Sequence, residues 1–148
     1  MQERALAIDE AAYGPDHVDV ARDLNNLALI LLDLGDAAGA QPLQERALAI
    51  SEAAYGPDHP AVAIRLNNLA SILRDLGDAG AARPLQERAL AIGEAVYGPD
   101  HPMVADGLNN LAQILRDLGE ANAARRLAER AQAIRKVIRD RDEGRGGG

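Results

Sequence analysis

The chain repeats itself with a fixed step of 42 residues, and this step limits the available folds more than any other feature. Tyr-Gly-Pro-Asp-His begins at Tyr13, Tyr55 and Tyr97, and Leu-Asn-Asn-Leu-Ala at Leu24, Leu66 and Leu108. Gln-Glu-Arg-Ala-Leu-Ala-Ile begins at Gln2, Gln44 and Gln86. A period of about 20–50 residues marks a solenoid or array: one unit cannot bury its apolar face alone, so units stack.

Each unit reads as two helices, A and B. In the second unit, helix A starts near Pro60, because proline suits a first turn whose N–H has no helical partner. Leu66, Leu69, Ala70 and Leu73 then recur at helical spacing. Leu76-Gly77 stops it, glycine taking the left-handed position after a helix end. Helix B runs from about Ala79 to Val96 and stops at Tyr97-Gly98-Pro99. The short A–B connection makes the two helices antiparallel neighbours. The expected fold is all-α, an α-solenoid of antiparallel helix pairs with about seven helices. A half repeat at 1–16 precedes units near 17–58, 59–100 and 101–140. The last B helix spans roughly Ala121 to Arg139, and the polar, glycine-rich 141–148 reads as a disordered tail.

Composition fits this fold and excludes several functions. Hydrophobic residues make up 47% of the chain but aromatic ones only 2%, with no Phe and no Trp. Ala, Leu, Ile and Val must therefore fill the core, and they need no polar partner. The net charge of −7 argues against nucleic acid and against an anionic membrane surface. With no Cys, there is no disulfide, thiolate nucleophile or Cys-ligated zinc. Met1-Gln2-Glu3-Arg4 leads into no apolar signal region, and no apolar run approaches the roughly 18 residues of a membrane span. The expected location is cytoplasmic.

A helix advances about 100° per residue, which sorts the faces of each A helix. Ala21, Leu24, Leu27, Ala28 and Leu31 share the side that packs. Arg22, Asn26, Leu29 and Asp33 fall opposite, flanked by Asn25 and Leu32. The second unit places Ile64, Asn68, Ser71 and Asp75 there, flanked by Asn67 and Arg74. The third places Asp106, Asn110, Gln113 and Asp117, flanked by Asn109 and Arg116. The Leu and Asn positions are constant between units, whereas Arg22/Ile64/Asp106 and Leu29/Ser71/Gln113 differ. The variable positions are either unused surface or positions that read a ligand.

Leu-Asn-Asn-Leu-Ala, Leu-Gly-Asp, Glu-Arg-Ala-Leu-Ala-Ile and Tyr-Gly-Pro-Asp-His-Pro, in that order, resemble the tetratricopeptide repeat (TPR) in its longer kinesin-light-chain variety. The period is 42 rather than the usual 34 or so. The resemblance implies a right-handed superhelix whose A helices line a concave groove for an extended peptide. It also implies that Asn26, Asn68 and Asn110 hydrogen-bond a ligand backbone. An amide both donates and accepts, so it can pair with any peptide unit. Two further readings of the Asn pairs stay open: bonds between successive A helices, or solvated decoration.

Other constellations carry less. His17, His59 and His101 lie one repeat apart and cannot converge on one metal at about 2 Å. Asp or His instead starts each A helix. Asp33, Asp75 and Asp117 sit on an open groove, unlike the tuned carboxylates of acid–base catalysis. Tyr13, Tyr55 and Tyr97 read as packing wedges between repeats, and Glu45-Arg46 and its copies as solvated convex surface. No enzyme activity, cofactor or metal is expected. The expected partner is a protein or peptide. The alternatives are a self-assembling module joined through uncapped terminal helices, as a homo-oligomer, or an excerpt of a larger signalling protein.

Overall fold

The computed structural model describes residues 17–146, which form six α-helices and no strand. These are α1 (Val18–Asp33), α2 (Ala37–Tyr55), α3 (Pro60–Asp75), α4 (Ala79–Tyr97), α5 (Pro102–Asp117) and α6 (Ala121–Gly146). α1, α3 and α5 are the A helices, and α2, α4 and α6 the B helices. The half repeat expected at 1–16 lies outside the described residues.

Short sequence signals set most of the helix boundaries. Histidine, rather than aspartate, caps each A helix: Nδ1 of His17, His59 and His101 accepts from the backbone N of Asp19, Ala61 and Met103 at 3.1, 3.0 and 3.1 Å. An accepting Nδ1 puts the ring proton on Nε2. The next residue, Pro60 or Pro102, opens the helix. Leu34-Gly35-Asp36 then ends one helix and begins the next. Gly35 (φ +83°) donates to Leu32 O at 3.0 Å and Asp36 N donates to Leu31 O at 2.8 Å, the paired bonds of a Schellman turn. Asp36 Oδ1 in turn accepts from Gly39 N at 2.9 Å, capping α2. Leu76-Gly77-Asp78 repeats this connection.

Within a unit the two helices bury a repeating interior: Val20, Leu24, Ala47 and Ile50 in the first, Val62, Leu66, Ala89 and Ile92 in the second, Val104, Leu108, Ala131 and Ile134 in the third. A second layer joins units. Ile72 of α3 is fully buried against Ala28 and Ala40 of the preceding unit, and Ile114 repeats this against Ala70 and Ala82. Successive A helices approach one another directly, while successive B helices do not. Long side chains link the B helices instead: Arg88 to Glu52 at 3.2 Å and Arg130 to Glu94 at 3.4 Å. The stack therefore curves with its A helices on the inner side.

Three expectations are corrected. The end of the chain reads from sequence as a disordered tail at 141–148, but α6 runs to Gly146. No Gly or Pro interrupts it before Gly144, and Arg and Glu are good helix formers. Tyr55 and Tyr97 are not wedged between repeats. They stay 45% and 40% exposed and stack on the capping His59 and His101 at centroid distances of 4.4 Å. Arg88 and Arg130, copies of Arg46, do lie at the convex surface, but they are not left to solvent: they form the B-to-B ties just described.

Candidate functional site

The A-helix stripes lie where the sequence spacing puts them, on the inner side of the stack, but their residues are not equally available. Asn25 is buried, and its Oδ1 accepts from Asn68 Nδ2 at 2.8 Å and Gln44 Nε2 at 3.0 Å. Asn67 Oδ1 accepts from Asn110 Nδ2 at the same 2.8 Å. The Asn pairs thus stitch each A helix to the next, which is one of the readings that the sequence leaves open. The stitching commits one amide proton of Asn68 and of Asn110 and spares their side-chain oxygens. Asn26 and Asn109 are half-buried.

The outward positions behave differently. Arg22, Asp33, Ile64, Asp75, Asp106, Gln113, Arg116 and Asp117 are exposed, and Leu29 and Ser71 half-exposed. Arg74 spans two units: its Nε donates to Asp117 Oδ2 at 2.5 Å and its Nη1 to Gln113 Oε1 at 2.8 Å. Leu32 holds the matching place in the first unit and can form no such bridge to Asp75. The groove wall is therefore polar and tied between the second and third units, and more apolar between the first and second.

The structure brings Ile64, Asn67, Asp106 and Asn110 together around a cavity of about 250 Å³. It opens between α3 and α5, and α4 forms its floor through Gln86 and Leu90. A smaller cavity of about 50 Å³ follows along the groove, between Ser71, Arg74, Asp75 and Gln113. Gln86 and Asn110 form the partition between the two. Arg22, Asn26, Leu29 and Asp33 belong to neither.

Gln86 and Gly107 do not stand out in the sequence. Gln86 is 1% exposed, and neither side-chain polar atom has a hydrogen-bond partner among the described residues. A buried amide without partners is uncommon and calls for an explanation. Its counterpart one unit earlier, Gln44, donates to Asn25 Oδ1 and, at 3.4 Å, to Arg65 O. The available signal was the comparison of units: Asp23, Arg65 and Gly107 share one repeat position, and so do Ser51 and Gly93. Burial holds the Arg65 guanidinium below its ordinary pKa, with Tyr55 acting in the opposite direction.

Among the described residues no group of three or more His, Asp or Glu could hold a metal ion, and no helix is long and apolar enough to cross a membrane. His17, His59 and His101 each cap a separate helix.

Stacked antiparallel helix pairs with an open, side-chain-lined inner face define a helical-repeat scaffold. The tetratricopeptide repeat family model matches residues 23–92 and 65–136, and the chain belongs to that family. Among solved structures it is similar to BtubC (BKLC) from P. vanneervenii, with 26% identity and a TM-score of 0.86 over 93% of this chain and 55% of that one. It is also similar in fold to a Podosopora anserina protein named for kinesin light chain and built of nearly identical TPR-like repeats. For that protein identity is 23% and the TM-score 0.77, over 93% of this chain and 65% of that one. A point variant of the same protein gives 23% and 0.80, over 94% and 66%. The chain thus spans less than two thirds of each of these proteins. A search of curated protein sequences found no match.

Proposed function

We propose that this chain is a non-enzymatic, cytoplasmic scaffold that binds an extended segment of a partner protein along its A-helix face. The observation that carries this reading is the series of side chains on that face. Positions that hold the stack, the Leu and Asn of Leu-Asn-Asn-Leu, stay the same from unit to unit. Their outward neighbours change from Arg22 to Ile64 to Asp106, and the last two border a cavity. A rigid frame with varied side chains at a regular spacing suits recognition of a chain lying across several units. Membership of the tetratricopeptide repeat family supports a role in protein binding.

Selection from a random peptide library tests this. The native chain is compared with a groove variant (Ile64→Glu, Asp75→Arg, Arg116→Glu) and a B-helix variant (Glu45→Arg, Arg125→Glu, Glu129→Arg). All six positions are exposed. The reading expects enriched peptides that the groove variant loses and the B-helix variant keeps. Equal loss with both variants, or enrichment indifferent to the groove, would overturn it.

A further inference from the structure

We infer that the cavity between α3, α4 and α5 is a receptor for a basic side chain, arginine above all, carried by the bound segment. This deepens the groove reading and rests on it. Two replacements make the cavity. Where the interface between the first and second units has Arg65 and Ser51, the one between the second and third has Gly107 and Gly93, so one side chain is missing from the α5 wall and one from the α4 floor. At the interface between the first and second units Arg65 lies half-buried beside Tyr55, with its Nε fully enclosed. The matching space beside Tyr97 is the cavity. The chain itself thus shows which side chain fills a space of this shape.

Polarity points to the same occupant. In the first interface Arg65 Nε and Gln44 Oε1 are buried without a partner; in the second no arginine fills the space, and both polar atoms of Gln86 are left without one. Gln86 at the floor offers an unpartnered amide oxygen, beside an amide nitrogen that is also unpartnered and lies toward Gly107. Asp106 stands at the rim in the place of Ile64. Arg135 of α6 donates to its Oδ1 at 2.7 Å, and a carboxylate has about four acceptor sites, enough for a second guanidinium. Leu90 and Ile64 supply apolar walls for a methylene stem, and the Tyr97 ring lies alongside. At about 250 Å³ the space suits one long side chain rather than a free-standing ligand.

The test is a titration of the isotope-labelled full chain, followed by NMR, with N-acetyl-arginine-methylamide and with its neutral citrulline counterpart. The arginine probe is expected to move the Gln86 side-chain amide and the Gly107 and Asn110 signals, with at least tenfold weaker response to citrulline. Gly107→Arg restores the residue of the preceding unit and is expected to abolish the response at Gln86. Asp106→Ile, also a residue of the preceding unit, leaves the cavity open and is expected to weaken it severalfold. Equal responses to the two probes, or an arginine response that survives Gly107→Arg, would overturn the inference. A chain that selects peptides but ignores arginine loses the pocket and keeps the groove. A chain that takes the arginine probe but selects no peptide loses the groove reading alone.

Discussion

One repeat position, read in two settings, predicts a large difference in stability. Ile30, Ile72 and Ile114 occupy the same place on the three A helices. Ile72 is fully buried against Ala28 and Ala40 of the unit before it, whereas Ile30 is 41% exposed. Truncating isoleucine to alanine removes three carbons, worth about 2.4 kcal/mol if fully buried, at about 0.8 kcal/mol each. At Ile72 a cavity term adds to this, because the facing alanines are too short to collapse into the gap. Ile72→Ala should therefore cost about 3–4 kcal/mol. Ile30 is partly wet and leaves no closed cavity, so Ile30→Ala should cost about 1 kcal/mol. Against a total of roughly 5–15 kcal/mol, the first loss is severe and the second mild. Urea unfolding followed by circular dichroism at about 222 nm measures both, with an unchanged urea slope as the check on cooperativity. Equal losses at the two sites would refute the claim that Ile72 locks one unit to the next.

Other consequences are smaller but equally specific. His59→Ala removes a helix cap and the stack on Tyr55, and should lower stability by about 1 kcal/mol, while His59→Asp retains the cap; thermal melts of the two separate these effects. Gly77 has φ +82°, so Gly77→Ala should cost about 1–2 kcal/mol in the same assay despite the open space around it. Asn68→Ala takes one of two donors from the buried Asn25 oxygen; a loss of about 1 kcal/mol, coupled to Asn25 in a double-mutant cycle, is expected. Arg74→Ala, at a bridge more than a third exposed, should change stability by less than about 1 kcal/mol and by less still in high salt.

The repeat, the helix pairs and their turns were legible in the sequence because each rests on local chemistry. Leu-Gly-Asp is a helix end and a helix start in three residues, and a 42-residue step leaves little freedom for anything but stacking. The inner stripe was legible too, since helical periodicity alone divides it from the packed face. What the Asn residues do was not, because Asn25 and Asn67 differ from Asn26 and Asn68 only by about 100° of rotation. That rotation turns one amide inward as acceptor and leaves the next to donate from the following helix. The cavity was hidden for another reason. It lies where Gly107 of the A helix and Gly93 of the B helix lack side chains, and its floor carries Gln86 of the same B helix. Reading the stripes one helix at a time could not join these.

The central claim is that a partner segment lies along the inner, A-helix face. Mapping the amide shifts of the labelled chain as a library-selected peptide is added tests this most directly. The largest shifts are expected on α3 and α5, at Ile64, Ser71, Asp106 and Gln113. Shifts confined to the exposed sides of α2, α4 and α6 would contradict it.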